Sequence, residues 1–216
     1  MVEINLLSKL PSSKRNVVLR SALKSENIIN ESCKFGEKYF DGPREYGYGG
    51  YYYDGRWKPV AKDIIEHFKL SPGDKVIDIG CAKGFLVKDL VDLGIDAYGL
   101  DISEYALTNC VPEISDRLII GNALKLPFEN NFFDLAISIN TLHNLKKSDV
   151  IIAIKELQRV STGKGFIQVD SYNSLEGKKK FEEWVLTAKY HDYPKEWLKL
   201  FNIAGYKGDW YWTILE

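Results

Sequence analysis

The feature that most constrains this chain is a regular alternation of short apolar runs with segments of helical spacing, which begins at residue 75. Runs that are apolar on both faces are typical of buried parallel strands. Strands that are joined through helices form a parallel sheet with helices on both sides. The pattern therefore predicts a single doubly wound α/β domain. The predicted strands cover 75–80, 97–102, 117–120, 133–139, 165–170 and an alternating edge strand at 210–215.

Helical spacing fills most of the stretches between these runs. The predicted helices cover 59–68, 85–93, a segment capped by Ser103, 150–160 and 194–204. Residues 184–190 fit either a strand or the end of a helix. The chain has no internal repeat and no low-complexity linker, which is consistent with one domain.

Size and composition exclude several classes of protein. A chain of 216 residues is long enough for one well-packed domain, and its net charge of −1 gives no basic field for nucleic acid, although a local patch stays possible. No apolar run approaches the roughly 20 residues of a membrane helix, and the first residues do not resemble a secretion signal. The three scattered cysteines fit a reducing compartment and neither a disulfide framework nor a zinc site. We expect a cytoplasmic protein without a membrane or metal partner, in an oligomeric state that the sequence leaves open.

The first 57 residues differ from the rest and are predicted to precede the domain, which we place at 58–216. Residues 1–30 are polar and indicate a short helical lead-in. From Phe35 to Trp57 the composition shifts to glycine and tyrosine, and so many glycines exclude a long helix. This Tyr/Gly segment is predicted to be an ordered loop. Because it lies just before the domain, it could act as a mobile lid over the ligand cleft or as a fixed cap whose tyrosines pack on the sheet.

A glycine turn and a carboxylate follow the first two predicted strands. The first strand enters Asp78-x-Gly80-Cys-Ala-Lys-Gly84 and then a helix, so that backbone can pass close to a ligand at the positive end of that helix. Asp101 ends the second strand, where a carboxylate can bind the two hydroxyls of a ribose. Ala82 breaks the nicotinamide fingerprint G-x-G-x-x-G, and Lys83 lacks the setting of a Walker loop. The turn therefore favours a nucleoside ligand other than NAD or ATP.

In these motifs and in their order, the chain resembles the class I S-adenosylmethionine (SAM) dependent methyltransferases. Residues 76–86 resemble their first motif, Gly99-Leu-Asp101-Ile-Ser103 resembles their acidic second-strand motif, and 121–128 and 133–143 are similar to the segments around their third and fourth strands. The likeness covers about 60–170, and 197–206 is similar to the helix before their last strands. The resemblance implies a Rossmann-like, mostly parallel seven-stranded sheet with one antiparallel strand, SAM as cofactor, and methyl transfer.

The resemblance also implies roles for matching positions. The turn from Gly80 to Gly84 would hold the methionine part of SAM, with Asp78 supporting it or contacting the amino group. Asp101 would bind the ribose, and Asn140 would face the transferred methyl. Asn122 stands where many relatives have Asp, and its amide oxygen can still meet the adenine amino group. The predicted cofactor-binding residues are Asp78, Gly80, Cys81, Ala82, Lys83, Gly84, Asp101, Ile102, Asn122, Ala123 and Asn140.

The predicted function is methyl transfer to a small-molecule acceptor such as a sugar or a biosynthetic intermediate. His143 is the candidate general base because it follows the fourth strand and imidazole titrates near neutrality; a purely structural role in the loop is an equal alternative. The predicted acceptor-site residues, chosen for rigid aromatic surface and one fixed cation, are Tyr46, Tyr48, Tyr51, Tyr52 and Arg56. The alternatives are aminopropyl transfer from decarboxylated SAM, a methyltransferase acting on RNA or protein, and a SAM-binding scaffold without activity.

Overall fold

The computed structural model of this protein describes residues 1–11 and 15–214. The predicted tail residue 215 therefore lies outside the described residues. Six strands are present there: β1 Lys75–Ile79, β2 Asp96–Asp101, β3 Leu118–Ile120, β4 Leu135–Ile139, β5 Gly165–Ser171 and β6 Asp209–Ile214. The α-helices are α1 Val17–Leu23, α2 Glu26–Ser32, α3 Glu37–Phe40, α4 Lys58–Phe68, α5 Phe85–Asp92, α6 Glu104–Thr108, α7 Lys147–Val160, α8 Leu175–Trp184 and α9 Pro194–Ala204. The alternation predicted from residue 75 onward is confirmed.

The six strands form one sheet in the order β3-β2-β1-β4-β5-β6, and every pairing between them is parallel. The prediction of a seven-stranded sheet with one antiparallel strand is therefore wrong for the described residues. An antiparallel insertion needs two consecutive extended segments, but only β6 follows α9, and residues 184–190 form no strand. β6 takes the place beside β5 instead, with Trp210 opposite Ile167.

The outer edge of β6 is covered by the first residues of the chain. The amide of Ile4 donates to the carbonyl of Trp210 at 2.8 Å, and the amide of Trp210 donates to the carbonyl of Val2 at 3.1 Å. Asp209 accepts from the Val2 amide at 2.7 Å and pairs with His67 on α4 at 2.8 Å. This short parallel pairing protects hydrogen-bonding groups that an edge strand would otherwise leave open.

The core lies on both faces of the sheet. β1 shows why the predicted strands lack alternation: Val76 packs into the cluster with α4 and α5, whereas Ile77 packs into the cluster with α7 and α9. All five residues of β4 and all seven of β5 are buried. Strands covered on both faces need apolar residues at nearly every position.

This topology places a crevice at one edge of the sheet. The strand order reverses between β1 and β4: successive strands β1, β2 and β3 lie on one side of this point, and β4, β5 and β6 lie on the other. In open parallel sheets, ligands bind at such a switch point beyond the carboxyl ends of the strands. No helix in the described part of the chain is both long and apolar enough to cross a membrane.

Candidate functional site

The turn from β1 into α5 has backbone that only glycine fits well. Gly80 has φ +86°, and a Cβ there would lie 2.0 Å from the hydroxyl oxygen of Thr141. Gly84 has φ +73°, and a Cβ there would lie 2.7 Å from Ile114. Both positions combine left-handed backbone with close neighbours, so the glycines that the sequence singled out are structurally required. The turn therefore brings bare backbone to the switch point.

Asp101 is fixed beside this turn by backbone hydrogen bonds. Its Oδ2 accepts from the amide of Ala82, and its Oδ1 accepts from the amide of Ser103, both at 2.8 Å. Each oxygen keeps a second lone pair. Burial raises the pKa of Asp101, and the backbone amides oppose that rise. The carboxylate is thus held at the end of β2 with acceptor capacity to spare.

Asp78 is a second carboxyl group at this site, on β1 opposite Gly99 of β2. Its side chain is buried, and no hydrogen-bond donor among residues 1–11 and 15–214 reaches its carboxylate. Burial, with a smaller contribution from the charge of Asp101, raises the pKa of Asp78 to about 7. A cationic ligand group nearby would relieve this unfavourable position.

The strand ends border one cleft of about 840 Å³, counting its open mouth. Seven of the predicted cofactor residues line the cleft, and they are Gly80, Ala82, Asp101, Ile102, Asn122, Ala123 and Asn140. Asp78, Cys81, Lys83 and Gly84 lie behind this surface, where Lys83 forms an ion pair with Asp41 at 2.6 Å.

Strained backbone is concentrated around the same cleft. Phe35, Ala82 and Asn140 have φ of 49°, 51° and 54°, and all three residues line it. Left-handed backbone costs free energy in residues other than glycine and persists where the surrounding structure enforces it, often at functional sites. The Asn140 amide is held by Gln168 on β5, whose carbonyl and side-chain oxygens both accept from it at 3.0 Å.

The Tyr/Gly segment contributes to the lining of the cleft through Phe35, Tyr39, Phe40 and Tyr48. Asp41 ties it down, since its carboxylate accepts from Lys83 and also from the Tyr105 hydroxyl at 2.7 Å. The hydroxyl of Ser103 donates to the carbonyl of Phe35 at 2.6 Å. Aromatic stacking continues the contact, with Tyr51 on Phe85 at 4.7 Å between ring centroids. The segment is docked on the domain as an aromatic cover.

The predicted acceptor-site residues do not lie together. Tyr48 lines the cleft, whereas Tyr51 stacks on Phe85 at the start of α5 and is not part of the lining. Tyr46 lies under the ammonium group of Lys38, Tyr52 is 70% exposed, and Arg56 pairs with Asp54 at 2.6 Å. The structure therefore places Tyr46, Tyr52 and Arg56 away from the cleft lining. The tyrosine and glycine content identifies the Tyr/Gly segment, but it does not indicate which of its side chains line the cleft.

His143 is buried in a short 3-10 turn after β4 and does not line the cleft. Its Nδ1 has no hydrogen-bond partner among the described residues, and its carbonyl accepts from the amides of Lys189 and Tyr190. Burial lowers the pKa of His143, opposed by the charge of Asp170. The imidazole is consequently neutral near pH 7, the state that a base requires.

Several residues that line the cleft were not predicted, and they are Phe35, Tyr39, Phe40, Thr141, Asn144, Leu145 and Lys189. Tyr39 and Phe40 belong to the predicted cover, so its composition could have included them. Lys189 gives no local signal, because only the backbone pairing of its segment with His143 brings it here. Within the described residues, no cluster of three metal-ligating side chains is present.

Fold and cleft together define an α/β protein with a ligand-sized cleft at the switch point of a parallel sheet. Residues 77–169 match the family model described as a methyltransferase domain. The structure is also similar to a SAM-dependent methyltransferase from Archaeoglobus fulgidus, with a TM-score of 0.58 and 19% identity, over 78% of this chain and 72% of that one. More particularly, residues 77–169 carry a methyltransferase domain, and the fold is similar to that of a class I SAM-dependent methyltransferase, a class of enzyme that uses SAM as cofactor. The family resemblance is confirmed.

The curated relatives span different acceptors. The chain is 31% identical over 144 residues to a sterol 4-C-methyltransferase of Caenorhabditis elegans, covering 63% of this chain and 42% of that protein. It is 30% identical over 150 residues to a tRNA (carboxymethyluridine(34)-5-O)-methyltransferase of Arabidopsis thaliana, covering 66% of this chain and 34% of that protein. The chain thus spans less than half the length of these two relatives.

Proposed function

We propose that this protein transfers a methyl group from SAM to a small-molecule acceptor. The observation that carries the proposal is the convergence of the Gly80 turn and the Asp101 carboxylate on one cleft, because each oxygen of Asp101 is oriented by an amide and retains a free lone pair. Such a carboxylate matches a ribose diol.

The residues around the cleft fit the remaining parts of SAM. Asp78 is a buried carboxylate without a donor, and it would hold the cationic amino group near the Gly80 turn. Ile102, Asn122 and Ala123 would contact the adenine at the other end of the cleft. When bound, SAM supplies an electrophilic methyl on a sulfonium. The aromatic faces of Tyr39 and Tyr48 suit that cation.

The aromatic cover supports a small acceptor. It lies over the cleft and is fixed at Asp41 and Ser103, so it would exclude water from the transferring group. Alignment of the acceptor with the methyl would then supply much of the rate enhancement. The net charge of −1 offers no field to steer RNA.

His143 is proposed as the base for acceptors that carry a proton at working pH. Its imidazole is neutral, and its Nδ1 is unpartnered among residues 1–11 and 15–214. We expect His143→Ala to keep SAM affinity and to slow methyl transfer. Unchanged transfer rates in that variant would remove His143 from the mechanism.

Calorimetry tests the cofactor step. SAM should bind the native protein, decarboxylated SAM should bind more weakly because it lacks the carboxylate, and Asp101→Ala should abolish binding. Asp116→Ala is the matched control, since Asp116 is exposed and outside the cleft. Failure of the native protein to bind either ligand would refute the proposal.

Transfer of radiolabelled methyl tests the acceptor class. Native protein and labelled SAM are incubated with separate low-molecular-weight, RNA and protein fractions of a cell extract. Label in the low-molecular-weight fraction supports the proposal. Label confined to RNA or protein refutes the small acceptor, and binding of SAM without any transfer would favour a scaffold role.

A further inference from the structure

Three arginines surround one indole ring outside the cofactor cleft. The guanidinium carbons of Arg15, Arg20 and Arg44 lie 5.8, 4.4 and 5.5 Å from the ring centroid of Trp184 on α8. Arg15 precedes α1 and Arg20 lies in its last turn, whereas Arg44 belongs to the Tyr/Gly segment. We call this group the arginine cluster. It gathers positive charge from two separate segments of the chain.

Acidic side chains do little to neutralise this charge. Arg20 and Arg44 both donate to the carbonyl of Gly47, and neither forms an ion pair with a carboxylate in the described part of the chain. Burial, with the charge of Arg44, lowers the pKa of Arg20 to about 10. The neighbouring α8 acids pair along their own helix, Glu182 with Lys178 and Glu183 with Lys179. The cluster therefore carries excess positive charge, which is costly without an anion.

Unpartnered polar atoms mark the inner side of the cluster. Arg15 Nη1, His143 Nδ1 and Asp170 Oδ1 are shielded from solvent and have no hydrogen-bond partner among residues 1–11 and 15–214. His143 is only 6% exposed and Asp170 only 9%. Arg15 and Asp170 approach to 3.8 Å, which is too long for a hydrogen bond. Buried polar atoms normally find partners, so three orphans together indicate a missing ligand.

The cluster adjoins the cofactor cleft through two pairs of neighbouring residues. Gly47, which both Arg20 and Arg44 contact, directly precedes the cleft residue Tyr48. His143 directly precedes the cleft residue Asn144. A molecule seated among the orphaned atoms would therefore border the cleft from outside the cofactor's own residues.

We propose that Arg15, Arg20 and Arg44, with His143 and Asp170, form the acceptor subsite and select a small acceptor with a carboxylate or phosphate group and a nearby hydroxyl or amine. The guanidinium groups hold the anion. Asp170 Oδ1 accepts from the hydroxyl or amine. This assignment rests on the proposed methyltransferase function and names its substrate class.

Fluorine NMR of the full chain tests the subsite. The protein is labelled with 5-fluorotryptophan, which gives one signal for each of its five tryptophans, and Trp184→Phe assigns the Trp184 signal. Inorganic phosphate and, separately, malonate are titrated in, with potassium chloride holding ionic strength constant. A saturable shift of the Trp184 signal is expected. Response to phosphate only or malonate only identifies the anion, and response to neither overturns the proposal.

Variants distinguish binding of the anion at a specific site from nonspecific screening of the protein's charges. Arg15→Gln should weaken binding of phosphate or malonate, whichever shifts the Trp184 signal, about tenfold or more, because one charge-assisted hydrogen bond is lost. Lys179→Gln removes one exposed charge from α8 as the matched control and should change affinity less than about twofold. Asp170→Asn should tighten binding, because it removes a negative neighbour. Equal effects of Arg15→Gln and Lys179→Gln would overturn the proposal.

SAM calorimetry on the same samples keeps the two proposals distinguishable. The anion should leave SAM affinity unchanged, and displacement of SAM would show that the anion occupies the cofactor's site, which overturns the subsite. Absence of SAM binding would instead refute the methyltransferase function, whatever the Trp184 signal does.

Discussion

Substitution of Gly80 by alanine should damage both the fold and the cofactor site. Left-handed backbone at φ +86° costs an alanine about 1–2 kcal/mol. The new Cβ would lie 2.0, 2.3 and 2.6 Å from the Oγ1, Cγ2 and Cβ atoms of Thr141. Thr141 must then move and lose its hydrogen bond to Ile139 at 3.1 Å, which adds about 1 kcal/mol. We expect a total loss of ~2–3 kcal/mol in the free energy of unfolding.

Urea unfolding and SAM calorimetry measure these effects. Gly163→Ala is the control, since Gly163 has φ +103° with no heavy atom within 4 Å of the added Cβ, and it should lose only the backbone cost. Adding Thr141→Gly to Gly80→Ala should cost little more for this hydrogen bond, because the clash has already broken the bond from Thr141 to Ile139. SAM affinity should fall about tenfold or more in Gly80→Ala alone, because Thr141 lines the cleft. The reasoning fails if Gly80→Ala costs no more than Gly163→Ala.

Three further perturbations test the electrostatics and the cover. Asp78 has a folded pKa of about 7, above the 3.8 of a free carboxyl, so its ionisation opposes folding increasingly from pH 4 to 7 and fully above pH 7. Asp78→Asn should therefore raise the free energy of unfolding by up to about 4 kcal/mol at pH 8. If urea titrations show the same stabilisation by Asp78→Asn at pH 8 as at pH 4, the reasoning is wrong. Tyr48→Ala should weaken SAM binding in calorimetry, whereas Tyr52→Ala, at a residue 70% exposed, should not. Lys83→Met removes the ion pair with Asp41 and should speed proteolysis within residues 41–56; an unchanged cleavage rate would show that the aromatic contacts alone fix the cover.

The chain order of strands and helices could be predicted because each signal is local. β1 and β4 are apolar at nearly every position, and the glycine turn requires conformations that no other residue adopts cheaply. Asp101 at the end of β2 then follows from the topology rule for parallel sheets. Part of the proposed cofactor site could therefore be predicted from residues 75–102.

Contacts between distant segments decided the rest. The sequence of 209–214 fits a parallel or an antiparallel edge strand equally well, and only its docking beside β5 settles the direction. Composition marked the Tyr/Gly segment as aromatic, but only its packing on the domain shows that Tyr48 lines the cleft while Tyr52 is exposed.

Sequence alone predicted a nucleoside ligand, because the turn and the carboxylate lie within about thirty residues and each is a local signal; the resemblance to a known family then implied SAM. The proposed acceptor subsite could be identified only from the tertiary structure. Arg15, Arg44 and Trp184 carry no motif and are far apart along the chain, and their meeting depends on how the lead-in and the cover pack against α8. Burial, which local sequence does not specify, then decides that His143 is neutral and lies behind the cleft.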